Sequence, residues 1–334
     1  MNKIAIQRKF LFAGIIAILV SLPFILPSLY WVSVSINIGI TVLLVTSLRF
    51  ISLVGYYSLG HIAFMLIGAY TSALLVMKAG ISFWIAFIIA GLSSAIIALS
   101  VAYPFLKVKG VYFAILTLLT AETFRLVAWN WKSLTGGEYG LINIPPPGSI
   151  PMPGIAAINF SSFTAYYYLM LILVGVSIFV LHWIEKSRAG FIWKAIREAD
   201  SLARCVGINT MKYKIMNFVV GSFFAGIAGA LYAHFENQIS VDYTSNFGIF
   251  TSIYLIVYLV VGGPAKLYGP ILGTAILMIA SEFARPLKEN QTIIVGLLTI
   301  FIVLYVPEGI IGIPERVKLA AKGFGKKKLL NAQK

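Results

Sequence analysis

Long uncharged runs separated by short polar breaks constrain this chain more than any other feature. About 20 apolar residues cross roughly 30 Å of hydrocarbon. Ten runs approach that length: 10–29, 31–50, 58–77, 81–103, 110–131, 165–184, 215–235, 246–262, 267–284 and 291–307. The last three are short, and 246–284 leaves open a re-entrant piece in place of two full spans. Hydrophobic residues make up 60% of the 334 and charged residues 11%, against about 25% charged in an ordinary soluble domain. One soluble core cannot hide so much apolar surface, so lipid must be the solvent for most of it. The expectation is an all-α integral membrane protein of about ten transmembrane helices, with residues 1–334 as a single polytopic domain. Ten spans also permit two five-helix halves of opposite orientation, a common transporter plan, although no internal repeat is visible. Cleavage of the first run as a signal peptide is not expected. Pro23 and Pro27 stand at its end in place of a small-residue site, and a second span follows almost at once.

Basic loops stay in the cytoplasm, so lysine and arginine positions set the orientation. With the N-terminus inside, 21 of the 26 basic residues fall on the cytoplasmic side. Only Lys78, Lys132, Arg285 and Lys288 fall outside, and Arg125 lies within a span. Loss of one helix from the middle would destroy that split, so both termini are expected in the cytoplasm. The net charge of +15 is spread between apolar runs and at the termini, including a basic tail over 308–334. That is topology control and not a phosphate-binding face, so nucleic acid is not expected as a partner.

Two loops exceed a simple turn. Residues 132–164 face outward and hold Thr135, Gly136 and Gly137, then Pro145-Pro146-Pro147, Pro151 and Pro153. The prolines stiffen an extended path, so an ordered outer loop is expected. Residues 185–214 face the cytoplasm and read as a helix from Phe191 to Cys205 ended by Gly207, with Asn209 capping the next helix. Its stretch around Ile196, Arg197, Glu198, Ala199 and Asp200 reads either as a solvated connector or as a docking element for a partner.

Ionisable groups inside the spans are few. Glu122 and Arg125 stand three apart on one helical face. They read as a structural ion pair in preference to a place on a substrate path, although intramembrane charges are often functional. Ser58, Gly60 and His61 open the third span, and Tyr70 follows; small residues there allow close helix packing or local unwinding toward a path. His61 reads first as a hydrogen-bonding residue. The turn Gly262-Gly263-Pro264 with Tyr268-Gly269-Pro270 reads as a tight inner bend. The single Cys205 and the scattered His61, His182 and His234 give no disulfide framework and no metal motif. No GxxxxGK[ST] run occurs, so nucleotide hydrolysis is not expected of this chain.

Five segments in order resemble the permease subunits of branched-chain amino-acid ABC importers of the LivM type. They are SLGHIAFMLIGAYTSALL (58–75), KGVYFAILTLLTAETFRLVAWNWKSLTGGEYGLINIPPP (109–147), SRAGFIWKAIREADSLARCVGIN (187–209), FVVGSFFAGIAGALYAH (218–234) and VGGPAKLYGPILGTA (261–275). The resemblance implies the ABC importer permease fold in a bacterial inner membrane. It also implies a second homologous permease, two cytoplasmic ATPases that use ATP and Mg, and a periplasmic substrate-binding protein. By the same resemblance Arg197, Glu198, Ala199, Asp200, Ala203, Arg204 and Gly207 fall on the loop that contacts the ATPase. Glu198 and Gly207 are nine apart, which departs from the E-A-A-x3-G spacing of other ABC permeases. Permeases of similar shape move urea or short amides, and a stand-alone carrier or channel and a non-transporting membrane scaffold are the remaining alternatives.

Overall fold

The computed structural model describes residues 14, 17–149, 159–242, 245–305 and 309–312. Residues 10–13, 15 and 16 of the first expected span, Pro151, Pro153 and nearly all of the basic tail therefore lie outside the described residues; within the first span, 17–25 are helical. The helices are α1 (Leu29–Ser52), α2 (His61–Met77), α3 (Phe83–Lys107), α4 (Val111–Asn130), α5 (Phe163–Glu185), α6 (Arg188–Cys205), α7 (Thr210–Glu236), α8 (Ile249–Gly262), α9 (Tyr268–Ala284) and α10 (Gln291–Tyr305). Among the described residues, six helical stretches are long and apolar enough to cross a membrane: α1, α3, α4, α5, α7 and α9 with its extension to Leu287. The other spans are shorter than expected. Helix α2 has 17 residues, α8 has 14 and α10 has 15.

Helix α7 is the centre of the bundle, packed against α1, α2 and α3. Small residues make that possible. Helix α3 turns Ala86, Ala90, Ser94, Ala98 and Ala102 inward, each fully buried, while Ile85, Ile88, Leu92, Ile96, Leu99 and Tyr103 are exposed on the opposite face. Without a hydrophobic force between helices in lipid, close van der Waals contact and interhelical hydrogen bonds drive association. A Cβ on Gly68 would sit 2.2 Å from the Gly226 carbonyl oxygen, and one on Gly226 would sit 2.6 Å from that of Ala90. Ser94 adds a 2.8 Å hydrogen bond to the Phe64 carbonyl. Three backbones therefore meet where any side chain would hold them apart.

The third expected span, 58–77, is helical only from His61. Leu53–Gly60 turns back into the bundle as non-helical chain and stays largely buried. Such backbone is tolerated at membrane depth only inside protein. The Leu59 amide donates to Thr117 Oγ1 at 3.2 Å, and a Cβ on Gly60 would lie 2.2 Å from the Thr117 carbonyl oxygen. Thr117 stands six residues into α4, about 9 Å along its axis, so α2 starts well inside the bundle.

Helix ends sort into two sets. At one side Arg49, Lys109, Glu185, Lys194, Asp200, Lys214 and the Pro264 turn come together. At the other, Lys78 Nζ donates to the Ser133 and Leu134 carbonyls, and Tyr30 bonds to Glu282 and Arg285. Alternating spans demand this sorting.

Candidate functional site

The side that gathers the basic residues carries α6, the amphipathic helix of the 185–214 loop. It starts at Arg188, three residues earlier than expected, and is kinked at Ala199. The end of the segment is as the sequence suggests: Gly207 takes φ +83°, and Asn209 Oδ1 accepts from the Lys212 amide at 3.1 Å. Trp193, Ile196 and Ala203 are buried and hold α6 on the bundle, with Trp193 edge-on to Phe50 at 5.0 Å. The expectation that Ile196 supplies apolar contact to a partner is therefore corrected, since its side chain is already covered. The uncovered apolar residues of the segment are Phe191, Leu202 and Val206, beside exposed Arg197, Glu198 and Arg204.

Asp200 also differs from a water-facing charge. Its carboxylate lies 2.8 Å from Arg204, 3.1 Å from Lys214 and 3.7 Å from Lys109. Partial burial opposes its ionisation, but hydrogen bonding to Lys214 and Thr210 and the charges of Lys214 and Arg204 outweigh that. The carboxyl is held below its usual range. A reversed charge at Asp200 would break the seat of the helix, whereas Glu198 is exposed to water.

A second centre anchors the same helix. Arg49 makes a two-pronged contact with Glu185 at 2.7 and 3.1 Å, and its Nε donates to the Pro264 carbonyl at 3.0 Å. Lys194 of α6 reaches the same carboxylate at 3.1 Å. One chain of contacts thus joins α6, α5, α1 and the turn between α8 and α9. Sequence reasoning counted Arg49 only as a topology marker; a lone arginine near the end of an apolar run was the available signal.

The intramembrane candidates do not converge on one site. Ser58 and His61 are buried between α1 and α4, with His61 Nε2 2.8 Å from Ser47 Oγ. Tyr70 is buried on α2, and its hydroxyl has no partner among the described residues. Glu122 and Arg125 pair with each other through two contacts of 2.9 and 2.5 Å, and Arg125 donates to the Val241 carbonyl at 2.6 Å. That pair ties α4 to the chain beyond α7, which fits its structural reading.

On the opposite side Thr135, Gly136 and Gly137 fold a compact turn. Thr135 Oγ1 donates toward the Ala128 and Trp131 carbonyls, and Gly136 and Gly137 take φ of +81° and +62°. The turn leads into strand β1 (Leu141–Ile142), paired antiparallel with β2 (Gln238–Ile239) just past α7. His234 locks this arrangement, 2.9 Å from Ser72 Oγ and 2.6 Å from the Pro145 carbonyl. The 132–164 segment is ordered where it is described, tied by the β1–β2 pairing and by His234 at the end of α7.

One cavity, of about 430 Å3, opens between α1, α2, α8 and α9, and none of the sequence candidates lines it. Asn37, Thr41, Tyr254, Tyr258 and Glu282 on its wall were missed, because each stands alone in an apolar run.

Comparison with known proteins follows this geometry. Residues 30–304 match the family model described as the permease component of a branched-chain amino acid transport system. The chain is 27% identical over 346 residues to the high-affinity branched-chain amino acid transport system permease protein LivM of Escherichia coli K12. That alignment covers 95% of this chain and 79% of that protein. The Salmonella typhimurium LivM is 28% identical over 330 residues, covering 92% and 75%. The Salmonella typhimurium LivH is 26% identical over 282 residues, covering 80% and 89%. No solved structure matches the chain.

Proposed function

We propose, on the premise that this chain belongs to the branched-chain amino-acid transport permease family, that it is the membrane-spanning subunit of an ATP-driven importer. The match over residues 30–304 carries the reading. A urea or amide permease is not favoured, since the relatives named above are all branched-chain amino-acid permeases. The LivH relative, similar over 80% of this chain, supports a second permease of the same shape as partner.

The finer parts of the reading rest on physical arguments. The face that gathers Arg49, Lys109, Lys194 and Lys214 is assigned to the cytoplasm of a bacterial inner membrane by the excess of basic residues there. Both termini then lie inside, and 132–164 lies outside. Helix α6 is the segment that docks a cytoplasmic ATPase. Phe191, Leu202 and Val206 offer exposed apolar contact, and Arg197, Glu198 and Arg204 set register more than affinity. Movement of α6 would reach the bundle through Lys194–Glu185–Arg49 and the Pro264 turn. ATP and Mg act on the ATPase subunits, and a periplasmic protein delivers substrate to the outer face.

The deciding experiment is reconstitution of this permease with its partner subunits in liposomes. Uptake of leucine that requires ATP inside and the binding protein outside is the expected result. Gradient-driven uptake by this chain alone would establish a carrier instead, and uptake of urea but not leucine would overturn the substrate class.

A further inference from the structure

The 430 Å3 cavity falls in the roughly 300–1,000 Å3 range of small-molecule sites. One side of it is the flank of the short helix α8, from Phe250 to Tyr258. Its 14 residues rise about 21 Å, against about 36 Å for the 24 residues of α1. The C-terminal end of α8 is fixed near Arg49 by the bond from that side chain to the Pro264 carbonyl. Its first turn therefore rises only to the level of Asn37 and Thr41, and Phe250 and Thr251 line the space with them.

The chemistry of the wall is graded along the membrane normal. Asn37 precedes Leu44 on α1 by about 10 Å of rise. At the Asn37 end stand Asn246, which donates to the Tyr232 hydroxyl at 2.6 Å, and Glu282, which accepts from Tyr30. Glu282 is the one charged residue on the wall among the described residues. At the Leu44 end stand Met65, Leu255 and Tyr258, with the Tyr258 ring stacked on Tyr254. Glu282 stands near the end of α9, part-exposed and 3.6 Å from Arg285, so the polar end of the wall carries a carboxylate above an apolar floor.

We propose that this cavity is a subsite, within one permease chain, for an aliphatic α-amino acid as its zwitterion. The ammonium sits on Glu282, the carboxylate takes a hydrogen bond from the Asn246 amide, and the branched side chain fills the floor between Leu44, Met65 and Tyr258. Each part of the ligand answers one part of the wall. Urea has no side chain for the floor, and a fatty acid has no ammonium for Glu282. The carboxylate is held by the neutral Asn246 amide, which keeps binding weak enough for release during transport. The site rests on the reading of the chain as an amino-acid permease, and its test separates the two.

A cysteine replaces Thr251 in a Cys205→Ser background, in membranes that hold the complete transporter. A small water-soluble thiol reagent should label it, and millimolar leucine should slow the labelling. Glycine and urea should not. Adding Glu282→Gln should weaken the protection about tenfold or more, as loss of a charge-assisted hydrogen bond does. A cysteine at Tyr139, 84% exposed on the outer loop, serves as the unprotected control. Met278→Cys probes the opposite wall if Thr251→Cys fails to assemble. Labelling at both wall positions that leucine leaves unchanged, or that glycine and urea slow equally, overturns the site even where ATP-driven leucine uptake is normal. Protection by leucine in a complex that transports no leucine keeps the site and overturns the functional reading. Absence of labelling in an assembled, transporting complex means water does not reach the cavity, and that also overturns it.

Discussion

Arg49 and Glu185 should be energetically coupled far beyond a surface ion pair. The Arg49 side chain is 2% exposed and that of Glu185 is 10% exposed, with both guanidinium nitrogens on the carboxylate. Glu185→Leu strands a buried guanidinium whose remaining acceptors are the Pro264 and Ala265 carbonyls, at 3.0 and 3.4 Å. Removing one partner of a buried pair costs about 3–5 kcal/mol. The lower end applies here, about 3 kcal/mol, because Lys194 at 53% exposure shows that water reaches the carboxylate's far side. Arg49→Leu leaves Glu185 with Lys194 as a partner and should cost less. The double leucine variant removes both charges and replaces them with apolar bulk, so it should be nearly as stable as the parent. A double-mutant cycle should therefore give a coupling energy above about 3 kcal/mol, the excess being the cost of Arg49→Leu alone. Unfolding of the purified chain by detergent titration, followed by circular dichroism, measures it. Additivity to within about 0.5 kcal/mol would place the pair among exposed salt bridges and remove it as the anchor of α6.

Three further outcomes test other parts of the structure. Gly68→Ala should destabilise the bundle by about 1–3 kcal/mol and lower the amount in the membrane, because the added carbon meets the Gly226 backbone at 2.2 Å; normal yield and stability would refute the close α2–α7 contact. Asp200 has a lowered pKa, so its contribution is present above the unfolded value near 4 and is lost as pH falls through the lower folded value. Thermal scans should show Asp200→Asn less stable than the parent at neutral pH and at pH 5, the gap closing only in stronger acid; a gap that closes near neutrality would show the carboxyl is not so held. Glu198→Lys with Leu202→Asp, both at exposed positions, should leave folding intact and weaken ATPase co-purification about tenfold; unchanged co-purification would make α6 a connector.

The legible parts of this molecule are those set by local pattern. Apolar runs place the helices within a few residues, and Gly207 with Asn209 marks the end of α6 and the start of α7 because turn and cap chemistry act over three or four residues. Glu122 and Arg125 were legible as a pair for the same reason. What sequence reasoning missed depends on distance along the chain. Arg49 meets Glu185 across 136 residues, and no period or motif links them. The strands β1 and β2 are two residues each and lie on either side of three helices and a loop, too short to show alternation.

Ile196 shows how a local pattern can mislead. An apolar residue among charges reads as a docking contact, but one amphipathic helix has a single apolar stripe, and the bundle takes it first. On the docking proposed above, a partner would meet the apolar residues that break the pattern on the exposed side, Phe191, Leu202 and Val206. The cavity follows the same logic inverted. Asn37, Thr41 and Glu282 look like isolated interruptions of membrane helices, each tolerable alone. Only the packing of α1, α8 and α9 brings them to one space, so the arrangement of those helices carries more functional information than any one of those polar residues.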